Sequence, residues 1–417
     1  MINPTFIDRA EEAERRVRHL FEPTPCMRND HLSAKFEADL WLKREDLTPV
    51  RSYKLRGAWN AMHEARETMP NIGLFVCASA GNHAQGMAYA CREFGVRGVI
   101  FMPVTTPQQK IDKTRTFGGD MIEIRLVGDY FDDTLASAKT YCDAHNGHFL
   151  APFDDQHVIE GQASVAVEFV RQMPKEPDII LLPVGGGGLS AGVVQYLRAC
   201  WPDVEVYFVE PKGGASLKAA LINGSPTKLS AIDSFVDGAA VARIGAIPFE
   251  ALSEVSVDHV LTAPEDRICT TIVDMLNVEG IVLEPAGAMT IDALQDLRSL
   301  IKGKRVLCVT SGGNFDFERL PEVRERAQRF LGLKKYFIMR LPQRPGALRE
   351  FLDMLGPQDD ISRFEYLKKS ARNFGSVLIG IETKDPKNFK TLFDRMNDVG
   401  LVHRDITDDE ALSEFVL

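Results

Sequence analysis

The sequence predicts an α/β protein with a largely parallel β-sheet covered by helices on both faces, followed by a smaller ferredoxin-like module. Between residues 74 and 309, short apolar segments alternate with amphipathic helical patterns. Strands that are apolar on both faces and separated by helices are typical of a buried parallel sheet. From residue 336 to residue 404 the pattern changes to the order βαββαβ, which indicates a ferredoxin-like module.

The elements follow in this order along the chain. Asn3 and Pro4 predict the start of a first helix, and residues 39–43 predict a short strand. Further strands are predicted at residues 74–77, 99–102, 121–127, 179–182, 204–209 and 306–309. Helices are predicted at residues 83–94, 108–117, 134–144, 161–172, 189–199, 215–221 and 265–276. The last module has predicted strands at residues 336–341, 361–366, 377–382 and 401–404, and predicted helices at residues 347–355 and 386–399.

Composition restricts the class of protein. The chain has 417 residues, of which 45% are hydrophobic and 26% charged, and this indicates folded domains rather than disorder. The net charge of -10 argues against nucleic acid and anionic membranes as partners. No apolar run reaches the roughly 20 residues of a membrane span, and the amino terminus lacks the apolar core of a signal peptide, so a cytoplasmic protein is expected. The seven cysteines form no Cys-x-x-Cys pair and are expected to be reduced, mostly buried thiols.

Lys54 is the first candidate functional residue. It precedes the helical apolar spacing of Leu55, Ala58 and Met62, which places it in the first turn of a helix. The unpaired N–H groups of a first turn carry partial positive charge and favour the neutral amine over the ammonium. A lysine whose charged form is disfavoured is a candidate for Schiff-base chemistry, although a single lysine is more often a solvated surface charge.

Three loops follow predicted strands and are therefore candidate sites, because ligands bind at the carboxyl ends of strands in such sheets. The loops are residues 79–86 (SAGNHAQG), residues 185–188 (GGGG) and residues 311–314 (SGGN). The first two open predicted helices, whose N–H groups favour anions. The glycine run also lets the backbone approach a phosphate closely.

The glycine run alone is compatible with two other kinds of site. Residues 186–191 fit a dinucleotide-binding fingerprint, with Glu210 near the spacing of a ribose-binding acid. Residues 188–192 fit the nucleophile elbow of a hydrolase around Ser190, for which only His259 and His403 are available downstream. Neither alternative uses Lys54 and the other two loops. A smaller phosphate ligand that also needs a lysine uses all of them.

Five motifs in unbroken order resemble a known family. They are residues 52–58 (SYKLRGA), 79–86, 185–188, 284–288 (EPAGA) and 311–314. Together they resemble the threonine and serine dehydratases, which belong to the tryptophan-synthase-β-like fold family, fold type II, of pyridoxal 5′-phosphate enzymes. The resemblance covers roughly residues 5–330. It implies a catalytic domain at residues 1–330 made of two open α/β subdomains, the smaller at roughly residues 50–155.

The resemblance also implies roles for individual residues. Lys54 is the catalytic residue and holds the cofactor covalently, Asn82 faces the cofactor 3′-oxygen, and Ser311 faces its ring nitrogen. The implied cofactor-binding residues are Lys54, Asn82, Gly185, Gly186, Gly187, Gly188, Leu189 and Ser311. The implied substrate-binding residues are Ser79, Ala80, Gly81, Asn82, His83 and Glu284.

Two of these positions, and Glu210 outside the set, carry further expectations. His83 is expected to pin its loop rather than to transfer protons. Glu284 is expected either to steer protons beside the substrate or simply to start a helix. Some relatives bind a divalent cation after the strand that ends at Glu210, but no second carboxylate follows it in residues 211–216, so no metal is expected.

The last module also resembles a known domain. Residues 343–348 (QRPGAL) and 363–369 (RFEYLKK) resemble the ACT-like regulatory domain of the short form of biosynthetic threonine dehydratase, placed at residues 334–417. Such domains bind amino acids between copies, so feedback by isoleucine and a homo-oligomer, dimer or tetramer, are implied. The alternative is a vestigial module that only holds subunits together.

The activity implied by the resemblance is deamination of L-threonine to 2-oxobutanoate and ammonia, the first step of isoleucine synthesis. The alternatives are an L-serine dehydratase, a serine racemase, a catabolic threonine dehydratase and an inactive amino-acid sensor. A racemase needs a second acid–base group on the opposite face of the cofactor, and Ser79 is the only candidate for it.

Overall fold

The computed structural model describes residues 4–367 and 373–409. The chain divides into two compact units, Met1–Asp316 and Phe317–Leu417. The predicted helix-start residue Asn3 lies outside the described residues, as do the last two residues of the 363–369 motif and the end of the predicted regulatory domain from residue 410.

The first unit, described from residue 4 onward, contains ten strands and thirteen α-helices. The strands are β1 (Cys26–Arg28), β2 (Asp39–Arg44), β3 (Leu74–Ala78), β4 (Arg97–Met102), β5 (Ile122–Leu126), β6 (His148–Phe149), β7 (Ile179–Pro183), β8 (Glu205–Pro211), β9 (Val260–Ala263) and β10 (Arg305–Thr310). The helices are α1 (Pro4–Val17), α2 (Asp30–Phe36), α3 (Lys54–Thr68), α4 (Asn82–Phe94), α5 (Gln108–Gly118), α6 (Phe131–Ala144), α7 (Gln156–Gln172), α8 (Gly188–Cys200), α9 (Ser216–Asn223), α10 (Ala246–Leu252), α11 (Glu265–Glu279), α12 (Pro285–Asp292) and α13 (Arg298–Ile301).

The strands of this unit form two sheets. The larger has the order β1-β2-β10-β7-β8-β9, in which only β1 is antiparallel to its neighbour. The smaller has the order β5-β4-β3-β6 and is entirely parallel. Two open α/β subdomains, as the resemblance implied, are therefore present. The patterns did not identify β1, β6 and β9, because strands of 3, 2 and 4 residues are too short to show a period.

Both faces of the smaller sheet are covered. Phe75 and Val76 are neighbours on β3 and are fully buried, yet they belong to different apolar clusters. Phe75 shares its cluster with Met87 of α4, whereas Val76 shares its cluster with Ala138 of α6. Adjacent strand residues point to opposite faces, so helices cover the sheet from both sides. This is why its strands are apolar at successive positions.

The second unit has the ferredoxin-like order that the sequence predicts. Its elements are α14 (Leu320–Phe330), β11 (Lys334–Pro342), α15 (Ala347–Leu352), β12 (Asp360–Leu367), β13 (Phe374–Glu382), α16 (Lys387–Asp398) and β14 (His403–Asp405). The sheet order is β12-β13-β11-β14, with all pairs antiparallel. Phe337 and Ile379 of the two central strands pack with Phe389 of α16 to form its core.

Two general features complete the fold. Across residues 4–367 and 373–409, no helix is long and apolar enough to cross a membrane. None of the seven cysteines forms a disulfide, and five of them are buried, as expected from their scattered spacing.

Candidate active site

Lys54 is the first residue of α3, as its sequence context predicts. Its side chain is half-buried, and its amine donates a hydrogen bond of 2.9 Å to the carbonyl oxygen of Pro152. Burial lowers the pKa of the Lys54 amine to about 8, while the carboxylate of Glu284 acts in the opposite direction. The sequence predicts the lowered pKa correctly, but its main cause is burial rather than the helix terminus.

Backbone hydrogen bonds join the start of α3 to the loop after β10. The N–H of Tyr53 donates to the carbonyl of Ser311 at 3.2 Å, and the N–H of Gly313 donates to the carbonyl of Arg51 at 2.9 Å. The hydroxyl of Thr48 holds Ser52 in place by two bonds of 2.8 Å. The motifs at residues 52–58 and 311–314 are therefore neighbours in space.

A buried ion network holds the next turn of α3. Arg56 is fully buried and donates to both oxygens of Glu45 and both oxygens of Glu168, at 2.7 to 2.9 Å. Lys43 is equally buried and also contacts Glu168. Burial alone would raise the pKa of Glu168, but the two cations lower it to about 2. The network connects α3, which carries Lys54, to β2 and α7.

The glycine loop joins β7 to α8. Gly187 has a φ angle of 88°, in the left-handed region that favours glycine. The first bond of the helix runs from the N–H of Ala191 to the carbonyl of Gly187, at 2.9 Å. The N–H groups of Gly188, Leu189 and Ser190 consequently have no partner within the helix. Such a turn suits a phosphate, which is the role that the sequence assigns to it.

Two other glycines of this loop are required by close neighbours. A Cβ on Gly185 would lie 2.9 Å from the Cα of Ala239. A Cβ on Gly186 would lie 2.2 Å from the ring of Phe153. The same ring has its centroid 6.0 Å from the Lys54 amine. Phe153 therefore lies beside both the candidate phosphate loop and the candidate catalytic lysine.

Asn82 is the first residue of α4 and belongs to a network of three side chains. Its nitrogen Nδ2 donates to Oε1 of Glu284 at 2.7 Å, and its oxygen Oδ1 accepts from Nδ2 of Asn314 at 2.8 Å. Burial raises the pKa of Glu284 to about 7, and Asp237 acts in the same direction. Glu284 immediately precedes α12 but makes no side-chain capping bond. Its side chain contacts Asn82, while its carbonyl accepts from the N–H of Ala288 at 3.1 Å at the start of α12.

The loop that precedes Asn82 supplies further polar groups. The hydroxyl of Ser79 accepts from the N–H of Gly81 at 3.2 Å, while Ala80 is half-buried. Nε2 of His83 lies 3.0 Å from the carbonyl of Leu150. Burial, together with the Lys54 charge, lowers the pKa of His83 to about 3. A neutral, buried His83 bound to a backbone carbonyl fits the expected loop-pinning role.

Several polar groups of the site lack partners and fit a phosphate-bearing cofactor. Ser311 is only 3% exposed, and its hydroxyl has no hydrogen bond to the described residues. The hydroxyl of Ser52 and the oxygen Oδ1 of Asn314 are buried and equally unpartnered within that part of the chain. Together with the amine of Lys54 and the free N–H groups at the start of α8, they offer bonds to one ligand.

The structure excludes both alternative interpretations of the glycine run. Ser190 is fully buried and donates to the carbonyl of Pro183 at 3.0 Å, so it is not an exposed nucleophile. Glu210 is fully buried and accepts from the N–H groups of Leu217 and Lys218, at 2.7 and 2.9 Å. It caps α9 and is not free to bind a ribose.

Some neighbours of the site were not identified from the sequence. Phe153, Asn314 and Asp237 belong to no recognisable pattern of their own, although Asn314 ends a motif whose serine was assigned. Asp237 lies in the segment between α9 and α10, which has no regular structure, and only its length marks it as a candidate. Within the described ranges, no group of three or more His, Cys, Asp or Glu residues is arranged to hold a metal ion.

Comparisons with known proteins agree with this geometry. The family described as pyridoxal-phosphate dependent enzyme matches residues 17–312, and the C-terminal regulatory domain of threonine dehydratase matches residues 325–416. L-threonine dehydratase biosynthetic IlvA of Bacillus subtilis (strain 168) is 46% identical over 407 residues, covering 97% of this chain and 96% of its own.

Two solved structures are also similar. The processed form of threonine deaminase isoform 2 from Solanum lycopersicum has a TM-score of 0.72 at 34% identity, covering 78% of this chain and 94% of its own. A threonine deaminase from T.th. has a TM-score of 0.69 at 30% identity, covering 74% of this chain and 98% of its own.

The fold and the site together define a lyase that uses pyridoxal 5′-phosphate as its cofactor. Within that class, the chain belongs to the threonine dehydratase family, in the biosynthetic form with one C-terminal regulatory domain.

Gly186→Ala is expected to weaken cofactor binding. The added methyl group would overlap the ring of Phe153, and relieving such an overlap costs about 1–3 kcal/mol, which corresponds to roughly 5- to 150-fold in the dissociation constant for pyridoxal phosphate. Titration of the cofactor-free protein, followed by absorbance, measures this constant. Gly73→Ala is the control, because its Cβ would meet nothing within 4 Å. Equal affinities for the two variants would contradict the requirement for glycine.

Proposed function

We propose that this chain deaminates L-threonine to 2-oxobutanoate and ammonia, as the first step of isoleucine synthesis. The observation that carries the proposal is the half-buried amine of Lys54 with a pKa of about 8, joined by backbone bonds to the Ser311 loop. An amine in this state is suited both to covalent attachment of a carbonyl cofactor and to proton transfer. The similarity to threonine dehydratases and a threonine deaminase supports threonine as the substrate.

The residue roles are those that the family resemblance implies, and the positions described above support them. Lys54 would hold the cofactor covalently through Nζ, and its free amine would accept the Cα proton of the substrate. The cofactor supplies the electron sink that acidifies this proton. The N–H groups at the start of α8 would hold its phosphate, and the hydroxyl of Ser311 would be the partner of its ring nitrogen. A hydroxyl does not keep the ring nitrogen of the cofactor positively charged. Without that charge, transamination is disfavoured as a side reaction.

The substrate carboxylate is assigned to the N–H groups of residues 79–83. The first bond of α4 with the preceding loop runs from the N–H of Gln85 to the carbonyl of Gly81, at 3.3 Å, which leaves the earlier N–H groups of the helix without an intrahelical partner. His83 keeps this loop in place through Leu150. Because its pKa is about 3, the imidazole of His83 is neutral at pH 7, and the N–H at Nε2 is used in the bond to Leu150.

The direct test is 2-oxo acid formation by the purified holoenzyme from L-threonine, with D-threonine as the control. Turnover of the L-enantiomer alone supports the proposal. Release of pyruvate from L-serine without turnover of L-threonine would replace it by a serine dehydratase. Formation of D-serine would require an acid–base group on the second face of the cofactor, for which Ser79 is the candidate.

We also propose that the second unit regulates the first in response to isoleucine, within a homo-oligomer. The catalytic domain is assigned to residues 1–330, with a small subdomain at about 50–155, and the regulatory domain to residues 334–417. The match to a threonine dehydratase regulatory domain supports this assignment. The dimeric or tetrameric state and the cytoplasmic location stay predictions.

L-isoleucine is expected to reduce the rate of threonine deamination at subsaturating substrate by about 5- to 150-fold, the usual range of a coupling free energy between two sites. The measurement is the initial rate across an isoleucine titration of the full chain. D-isoleucine is the matched control and should have no effect. A rate unaffected by L-isoleucine would instead favour a module that only holds subunits together.

The rate of deamination is expected to rise as the pH increases through about 8, because Lys54 must be neutral to accept a proton. The Glu284 carboxylate raises the pKa of Lys54, so Glu284→Gln should lower this pKa and move the rising limb of kcat to lower pH. Glu210→Gln is the control, because it removes a buried carboxylate that caps α9. An equal shift of the rising limb of the pH profile in Glu284→Gln and in Glu210→Gln would contradict this role of Glu284.

A further inference from the structure

We propose that Asn314 and Glu284 are positioning residues that hold the amide of Asn82 in one orientation, so that Asn82 meets the cofactor as a hydrogen-bond donor. This inference rests on the proposed function, since it concerns the contact between Asn82 and the 3′-oxygen of pyridoxal phosphate. The new element is which partner in that contact donates the hydrogen bond, and the sequence does not indicate this.

The network joins three segments that are distant in sequence. Asn82 begins α4, Glu284 precedes α12, and Asn314 follows β10. Nδ2 of Asn314 donates to the carbonyl oxygen of Val50 and to Oδ1 of Asn82, both at 2.8 Å. Nδ2 of Asn82 donates to Oε1 of Glu284 at 2.7 Å. These are short hydrogen bonds with chemically matched partners.

The carbonyl of Val50 determines the direction of every bond in this network. A backbone carbonyl only accepts hydrogen bonds, so the nitrogen of the Asn314 amide must face it. The second hydrogen on the Asn314 nitrogen also needs an acceptor. The atom of Asn82 that lies beside this nitrogen is therefore the amide oxygen Oδ1. The nitrogen of Asn82 therefore faces Glu284. This orientation does not depend on whether Glu284 is charged, because Oε1 accepts in both states.

The remaining hydrogen has a chemical consequence. An amide nitrogen carries two hydrogens, and Glu284 takes one of those on Asn82. The other is left to donate to the cofactor. A donor stabilises the anionic phenolate form of the 3′-oxygen relative to its neutral phenol form. If the amide were reversed, an acceptor oxygen would occupy the same place and would destabilise the phenolate.

Asn314→Asp tests this arrangement in the holoenzyme. The new carboxylate cannot donate to Val50 or to Asn82, and it favours the reversed amide of Asn82. The ratio of the neutral-phenol to the phenolate absorption band of the bound cofactor is expected to rise by about tenfold, because a hydrogen bond to a charged acceptor is lost. Glu284→Gln alone should leave this ratio within about twofold, since the oxygen of glutamine still accepts from Asn82.

The double variant Asn314→Asp with Glu284→Gln provides a sharper test, and it is informative even if Asn314→Asp alone folds poorly. In the double variant the amide of Asn82 is expected to be reversed. Its nitrogen then donates to the new carboxylate at position 314, and its oxygen accepts from the new amide at position 284. The melting temperature should recover toward that of wild type, whereas the ratio of absorption bands should stay shifted. If Asn314 and Glu284 only stabilised the fold, the double variant would recover the melting temperature and the wild-type ratio of absorption bands together. That outcome, or an unchanged ratio in Asn314→Asp, would overturn the inference.

The two proposals fail in different ways. The absorption bands belong to the bound cofactor and do not depend on which amino acid is turned over. A protein whose band ratios behave as expected, but which does not deaminate threonine, would overturn the proposed function alone. Variants that deaminate threonine and keep the wild-type band ratio would overturn the positioning role alone.

Discussion

Lys54→Ala is expected to reduce threonine deamination by at least about 10³-fold, because it removes both the covalent attachment of the cofactor and the group that accepts the Cα proton. The measurement is initial-rate kinetics combined with the mass of the protein after borohydride reduction. Wild type should retain the cofactor covalently, and the variant should not.

Two further variants make this test specific. Lys302→Ala removes a surface lysine that pairs with Glu37, and it should leave both the rate and the covalent attachment unchanged. Lys54→Arg keeps a positive charge but cannot attach the cofactor, so it should be as inactive as the alanine variant. Substantial turnover by Lys54→Ala would assign the chemistry to another residue and would overturn the proposed mechanism.

Arg56→Met is expected to lower the free energy of unfolding by about 3–5 kcal/mol, because it leaves the buried carboxylates of Glu45 and Glu168 without their main counter-ion. Methionine has a similar length and is uncharged, so the loss reports on charge rather than on cavity formation. Chemical denaturation followed by circular dichroism measures it. Since Arg56 lies two residues after Lys54 on α3, we also expect lower catalytic activity.

The matched control is Arg171→Met. Arg171 pairs with Glu14 at 3.1 Å, but its side chain is 52% exposed, so its loss should cost no more than about 1 kcal/mol. Adding Glu168→Gln to Arg56→Met removes one uncompensated charge and should recover part of the stability. If the stability losses caused by Arg56→Met and by Glu168→Gln simply add in the double variant, the two residues do not belong to one network and the explanation is wrong.

Lys54 shows how much of the site was predictable from the sequence. Its place in the first turn of α3 follows from helical periodicity, and its lowered pKa was expected. The main cause of that pKa is burial, which depends on segments such as residues 152–153 from a different part of the chain. A local pattern does not reveal which distant residues exclude water from an amine.

Glu284 and Phe153 show where sequence reasoning stopped. The sequence left Glu284 with two equally good roles, because a glutamate before a proline also starts helices. Its bond to Asn82, 202 residues away, is a contact that neither role predicted. Phe153 belongs to no motif, and only its close approach to Gly186 makes it a neighbour of the site.

The sequence by itself predicted the seven longer strands of the first unit, the loops proposed to carry the site and the ferredoxin-like order of the second unit, but not the short strands β1, β6 and β9. These features depend on local periodicity, helix starts and glycine-rich turns, which are written in neighbouring residues. The tertiary structure alone decided the pairing of Arg56 with Glu45 and Glu168, the burial that sets the pKa of Lys54, and the direction of the Asn82 amide. The physical reason is that burial and hydrogen-bond partners arise from contacts between segments far apart in the chain, whose geometry is set only when the sheets assemble.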